Sequence, residues 1–190
     1  MKKLELEKPK ASLYPVPVTL ISSFDTNHEN IITVSWTGIM CSNPPIIYIS
    51  VRPERYSYHL LLANKRFCLN IPDVSMLEKV DFCGNSTGET VDKAHICEFD
   101  FVPLVDGYPK AILQCNHHLF CDVIECLELG SHTAFVAEVK HEFVNEECYL
   151  GNHLFDYSLL RPIAYCRKEY YSLSSKLGSY GKVKGDIINE

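Results

Sequence analysis

None of the chain's nine cysteines (positions 41, 68, 83, 97, 115, 121, 126, 148 and 166) forms a Cys-x-x-Cys pair. That absence argues against the zinc and iron–sulfur sites such pairs build. No apolar run approaches the ~18–20 residues that a membrane-spanning helix requires. The opening MKKLELEKPK has basic residues but no apolar stretch behind them, so it does not read as a secretory signal. An excess of positive charge is also missing. Lys and Arg number 18 against 24 Asp and Glu, a net charge of −6. Nucleic-acid affinity begins with phosphate neutralisation, so an acidic chain without a basic stripe is a poor binder. The Gly-x-Gly-x-x-Gly, Walker and His-Glu-x-x-His patterns do not occur, which removes the usual short signatures of dinucleotide, triphosphate and zinc-protease chemistry. The eight histidines have no metal-ligand spacing. His117 and His118 are adjacent, and neighbours on a strand point to opposite faces.

What is present fits one packed domain over 1–190, with residues 1–11 and 176–190 read as extended arms. Hydrophobic residues make up 46% of the chain, enough for a sizeable core. With no leader or span visible, the expected location is the cytoplasm. Several cysteines sit in strand-like runs where valine would serve, and they read as reduced structural thiols.

The richest stretch is Ile31 to Ser57, IITVSWTGIMCSNPPIIYISVRPERYS. Ile32, Val34 and Trp36 alternate with Thr33, Ser35 and Thr37, so a strand here has an apolar face and a hydroxyl face. After a Pro-Pro turn, Ile46 to Val51 is almost wholly apolar and reads as buried on both faces. Arg52, Arg55, Tyr56 and Ser57 then place two cations and two hydroxyls within six residues. Strand hydroxyls, an indole and a cationic turn suit a ligand with a flat apolar body and an anionic tail, the description of a flavin mononucleotide (FMN).

Elsewhere, Pro15 to Phe24 reads as an edge strand, because prolines remove ladder donors. Asp25 to Asn30 is turn chemistry closing a hairpin. Ser57 to Asn64 reads as a helix capped by Ser57, Phe67 to Ile71 as a strand, and Ser75 to Glu78 as a capping box opening a helix toward Gly84. From Ala111 the pattern is β again, with Phe135, Ala137, Val139, His141 and Phe143 on one face. Many strands, few short helices and no β-α-β alternation predict a mainly β fold, an antiparallel barrel with appended helices.

These residues resemble the flavin reductase-like, FMN-binding split-barrel family, and within it the flavoredoxin branch. The resemblance also rests on Tyr14–Val18, Asn70-Ile71-Pro72, Ser86-Thr87-Gly88 with Asp92-Lys93, and Gly130-Ser131-His132-Thr133 leading into Phe135–Val139. It implies a Greek-key-like split β-barrel holding FMN. In the family, the strand matched by Thr33, Val34, Ser35 and Trp36 lies along the flavin, although Trp36 also suits plain core. Cys41 and Ser42 match the loop at the pyrimidine side of the ring. Arg52, Tyr56 and Ser57 match the phosphate clamp, and Asn70 a polar strand end close to the cofactor. Lys93 is either a further phosphate cation or a solvated helix lysine. His132 is either a residue facing the ring, the one possible catalytic group, or a hydrogen-bonded turn histidine. The family more often has Thr at Ser57 and Gly at Ala137.

The resemblance implies a homodimer without nucleic-acid or membrane partners, acting as a flavin reductase on NAD(P)H or as a flavoredoxin fed by a redox partner protein. The alternative is a non-catalytic module that binds flavin, or haem through His117 or His132. No metal site is expected.

Overall fold

In the computed structural model, residues 1, 3–24 and 28–180 are described. Seven strands form one antiparallel sheet: β1 (Thr19–Phe24), β2 (Glu29–Val34), β3 (Thr37–Ser42), β4 (Pro45–Val51), β5 (Arg66–Ile71), β6 (His117–Glu128) and β7 (Thr133–Val144). Their order is β2-β1-β5-β6-β7-β4-β3. Strands consecutive in the chain, β2 and β3, therefore lie at opposite edges, and Ser35 and Trp36 alone bridge them. The Ser50 amide donates to the Trp36 carbonyl at 2.8 Å, which extends the β3–β4 ladder into this link. This is a barrel that closes everywhere except along one seam. The mainly β, split-barrel expectation matches it.

Two main cores take most of the apolar residues described, with a small third one around Cys68, Ala111 and Phe120. Ile32, Val34, Ile47, Ile49, Phe67 and Phe135 fill the barrel interior. Leu20, Ile31, Val80, Cys83, Phe99 and Ile112 fill the space between the outer face of β1–β2 and the helices α2 (Leu77–Asn85) and α3 (Lys93–Ile96). Alternation along β1 and β2 sends neighbouring residues to different cores, Leu20 against Ile21 and Ile31 against Ile32. The Ile31 face is thus covered by helices, and the hydroxyl face predicted there begins only at Thr33. Thr33 itself binds α2, its Oγ1 donating to the Val80 carbonyl at 2.6 Å.

Several local expectations are corrected. β1 is an interior strand between β2 and β5, because both prolines precede it. Only Val16–Pro17 meets the edge description; it pairs with Ile163–Cys166 in a separate three-stranded sheet completed by Glu169–Ser172. β4 buries Ile47, Ile49 and Val51 but leaves Ile46, Tyr48 and Ser50 half-buried, since only one face meets the barrel interior. Helix α1 (Tyr56–Asn64) begins one residue earlier than expected, with Arg55 at the cap position and no side-chain cap. Ser57 is inside the helix and buried. Asp73, not Ser75, caps the segment leading into α2, its carboxylate accepting from the Ser75 amide at 2.6 Å. The predicted turn at Asp25–Asn30 falls partly outside the described residues, as does the last part of the 176–190 arm. Residues 3–11 form no helix or strand and are exposed. No helix among the described residues is long and apolar enough to cross a membrane.

Candidate functional site: the cleft at the barrel seam

Where β2 ends, a cleft of about 240 Å³ opens along the seam, lined by Thr33, Val34, Ser35, Trp36, Arg52 and His132, with Ser50, Arg55 and Tyr165 completing the wall. Its floor is main chain, because β2 has a strand neighbour on one side only. At its mouth the rings of Trp36 and His132 stack, with centroids 4.5 Å apart and planes inclined by 28°. Trp36 remains 41% exposed, so its indole is a surface for something else to cover and not a core residue. Burial lowers the pKa of His132, and the nearby Arg52 charge adds to the effect while Glu54 opposes it. Burial and the Arg52 charge both favour the neutral imidazole over the imidazolium. Its Nδ1 lies 2.9 Å from Ser131 Oγ.

One end of the cleft is cationic. Arg52 and Arg55 line it, and Glu54 partly offsets them, bonded to Arg52 Nη1 at 3.2 Å. Arg55 also precedes the uncapped N-terminus of α1, where helical amides carry a partial positive charge. Arginine forks and helix amides are the usual partners of a phosphate group.

Behind the cleft a buried polar cluster fixes this geometry. Asn30 Nδ2 donates to Ser23 Oγ at 3.1 Å and to Ser57 Oγ at 2.8 Å, tying β2 to α1. Gly88 presses against this pair: a Cβ there would lie 2.0 Å from Asn30 Oδ1. Lys93 is buried, and its Nζ donates to the carbonyls of Ile31 and Cys83, both at 2.9 Å. Burial lowers its pKa, and the charge of Arg55 does so too.

The family model described as "Flavin reductase like domain" matches residues 11–174. The chain belongs to this flavin reductase-like family. The fold is likewise that of solved members. A flavoredoxin of Desulfovibrio vulgaris (Miyazaki F) superposes with a TM-score of 0.88 at 26% identity, covering 97% of this chain and 100% of that one. A flavoredoxin from Methanosarcina acetivorans gives 0.85 at 26% identity with the same coverage. An FMN-binding protein from Thermus thermophilus, with bound p-hydroxybenzaldehyde, shares the fold at a TM-score of 0.79 and 18% identity, covering 94% and 99% of the two chains.

Of the residues picked from sequence, Thr33, Val34, Ser35, Trp36, Arg52 and His132 come together in the cleft. The others do not line it. Ser57 is a buried support for Asn30. Lys93, neither solvated nor directed outward, crosslinks β2 to α2 through two carbonyls. Cys41 and Ser42 lie on β3, where Cys41 is half-exposed and its thiol contacts the Asn43 carbonyl at 3.4 Å. Tyr56 opens α1 next to Arg55, its ring 3.1 Å from the Gly88 Cβ position. Asn70 is corrected outright. It is fully buried on β5, its amide bonded to Leu20, Ser22 and Cys68, its Oδ1 to the Ile112 amide and His118, so it braces the fold and does not reach the cleft.

Arg55, read from the sequence as the second cation of the turn, also lines the cleft, whereas Asn30, Ser50 and Tyr165 are not among the residues the sequence singles out. Asn30 and Tyr165 carried no signal, since their relevance depends on contacts with distant parts of the chain. His117, an alternative haem ligand, is buried, with Nε2 2.7 Å from Glu142 Oε1 and its ring against Phe155. A second, larger cleft of about 330 Å³ lies between Phe24, Glu29, Tyr108 and Lys110. Four residues of extended strand, about 13 Å, separate Glu29 from Thr33, and this second cleft has no arginine pair.

Proposed function

We propose that the seam cleft binds FMN and that the protein is a flavin-dependent oxidoreductase or electron carrier of the cytoplasm. The observation that carries this reading is the seam itself. It presents open main chain beside a stacked Trp36–His132 pair, with Arg52, Arg55 and an uncapped helix end at one extremity. A flavin needs edge hydrogen bonds, a flat apolar contact and an anion site for one phosphate, and each has a counterpart here. One cationic end, with no second diphosphate loop, favours the mononucleotide over the dinucleotide. The FMN named for the Thermus thermophilus neighbour and the flavoredoxins among the closely superposing structures support the same assignment.

FMN, when bound, would supply the redox chemistry. The chain's own residues orient and shield. Arg52 and Arg55 would hold the phosphate, the β2 edge would offer amides and carbonyls to the ring, and Trp36 would give it a flat apolar contact. A neutral His132 accepts or donates one hydrogen bond without adding charge at the ring. At about 240 Å³ the cleft is smaller than the ~300–1,000 Å³ of pockets that engulf a ligand. One chain therefore covers only part of a flavin, which favours a homodimer whose second copy completes the site. The electron source is NADPH, NADH or a redox partner protein.

The decisive experiment is direct. The purified protein, after incubation with FMN and gel filtration, should keep a flavin absorption spectrum and release FMN, not FAD, on denaturation. Anaerobic NADH or NADPH that bleaches it identifies a reductase; bleaching only by a reduced carrier protein identifies a flavoredoxin. A protein that stays colourless refutes the assignment.

A further inference from the structure

The geometry points to a two-point clasp, Arg161 on Asp73 and Tyr170 on Asp81, that positions Tyr165 as a wall of the seam cleft. This goes beyond the FMN assignment and rests on it for its ligand readout.

Tyr165 reaches the cleft from outside the seven-stranded sheet, on the short strand Ile163–Cys166. Its only neighbours in that small sheet are the two-residue strand Val16–Pro17 and the return strand Glu169–Ser172. So few ladder bonds do not hold a ring in place by themselves, and the chain adds anchors at both ends. Before the strand, Arg161 Nε donates to Asp73 Oδ2 at 2.7 Å, and its Nη2 contacts the same oxygen. The backbone agrees: the Val74 amide donates to the Arg161 carbonyl at 3.0 Å, and Asp73 bridges Pro162. Arg161 adopts a left-handed φ of 41°, a conformation that side-chain-bearing residues rarely take and that such fixing holds in place. On the return strand, the Tyr170 hydroxyl donates to Asp81 Oδ1 at 3.0 Å. Between the anchors, the Tyr165 ring packs on Tyr170 at 5.5 Å and edge-on to Tyr14 at 6.2 Å.

Both aspartates belong to one rigid segment, Asp73 capping it and Asp81 within α2. That same helix is bonded to Thr33 in the cleft floor through the Val80 carbonyl. Helix α2 is thus the common frame that sets Tyr165 against Thr33 to Trp36. The two aspartates touch no ligand; they act through Tyr165.

The test combines two readouts on the full chain: amide exchange across 163–166 in the apoprotein, and the FMN dissociation constant and visible spectrum in the loaded protein. Arg161→Ala should speed exchange across 163–166 by at least about tenfold, through the loss of its charge-assisted contacts to Asp73. It should weaken FMN binding by a similar factor and shift the bound flavin's spectrum. The double variant Arg161→Ala/Tyr165→Ala should bind FMN no worse than Tyr165→Ala alone, because the clasp acts only through that ring. Additive losses, or unchanged exchange, overturn the clasp. Tyr170→Phe, which keeps the ring and removes the bond to Asp81, gives the same decision if Arg161→Ala fails to fold. If the unaltered protein binds no FMN, the cofactor assignment fails while the exchange data still decide the clasp.

Discussion

His118 should make the protein sensitive to mild acid, and the size of the effect follows from its surroundings. The ring is buried on β6, and its Nδ1 donates to Asn70 Oδ1 at 2.9 Å. Burial chiefly, and the adjacent His117 secondarily, lower its pKa from 6.5 to about 4, while a backbone hydrogen bond at Cys115 acts in the opposite direction. In the unfolded chain the same imidazole titrates near its ordinary ~6.5. Between these values the unfolded state takes up a proton that the folded state refuses, so stability falls as pH drops from about 6.5 to about 4. Above 6.5 both states are neutral and the effect vanishes. A shift of roughly 2.5 units corresponds to about 3 kcal/mol. The assay is urea unfolding at pH 7.5, 6, 5 and 4.5, in parallel with His118→Gln, which cannot take up the proton. The unaltered protein should lose about 2–3 kcal/mol more than the variant between pH 7.5 and 4.5. Parallel curves would show that His118 titrates normally and that the Asn70 network does not hold it neutral.

Three further outcomes are expected. Arg52→Ala should raise the FMN dissociation constant ten- to a hundredfold by equilibrium titration while leaving the melting temperature within a degree or two, since a hydrogen bond to a charged group is worth ~1.5–3 kcal/mol and Arg52 is largely exposed. Gly88→Ala should lower the melting temperature by about 3–10 °C in calorimetry, because overpacking costs ~1–3 kcal/mol and its methyl would strike Asn30. Cys41 should react with a thiol reagent much faster than buried Cys68 or Cys121, and loading FMN should slow it only if the flavin or a second chain covers β3, a comparison read by mass spectrometry of labelled peptides.

The parts of this fold legible in sequence were those decided locally. The alternation of Ile32 and Val34, the hydrophobic run into Val51 and the Arg52–Ser57 turn each declare their structure within a few residues, and the cleft is largely built from them. Polar residues whose partners lie far away did not declare theirs. A polar residue at a strand end, such as Asn70, looks the same whether it serves a ligand or its own backbone, and only the packing of β1, β6 and Ile112 around it decides. Lys93 is similar: a lysine opening a short helix looks solvated until β2 and α2 enclose it. Ser57 looked like a helix cap because hydroxyls commonly are, and the helix began one residue sooner. Tyr165 comes to Trp36 from the far end of the chain, a proximity that no pattern local to either residue contains.

Because β2 and β3 part at the opposite edges of one sheet, the feature that would admit a flavin is a boundary and not an arrangement of special side chains. Any chain folding to this order exposes the same strand rim at the same place, whatever residues occupy it. Such a site tolerates wide divergence: side chains along the rim can drift while amides and carbonyls keep their positions. The corollary for redesign is that shortening or lengthening the Ser35–Trp36 crossing should alter the pocket more than replacing either residue, since the length of that link sets the width of the gap.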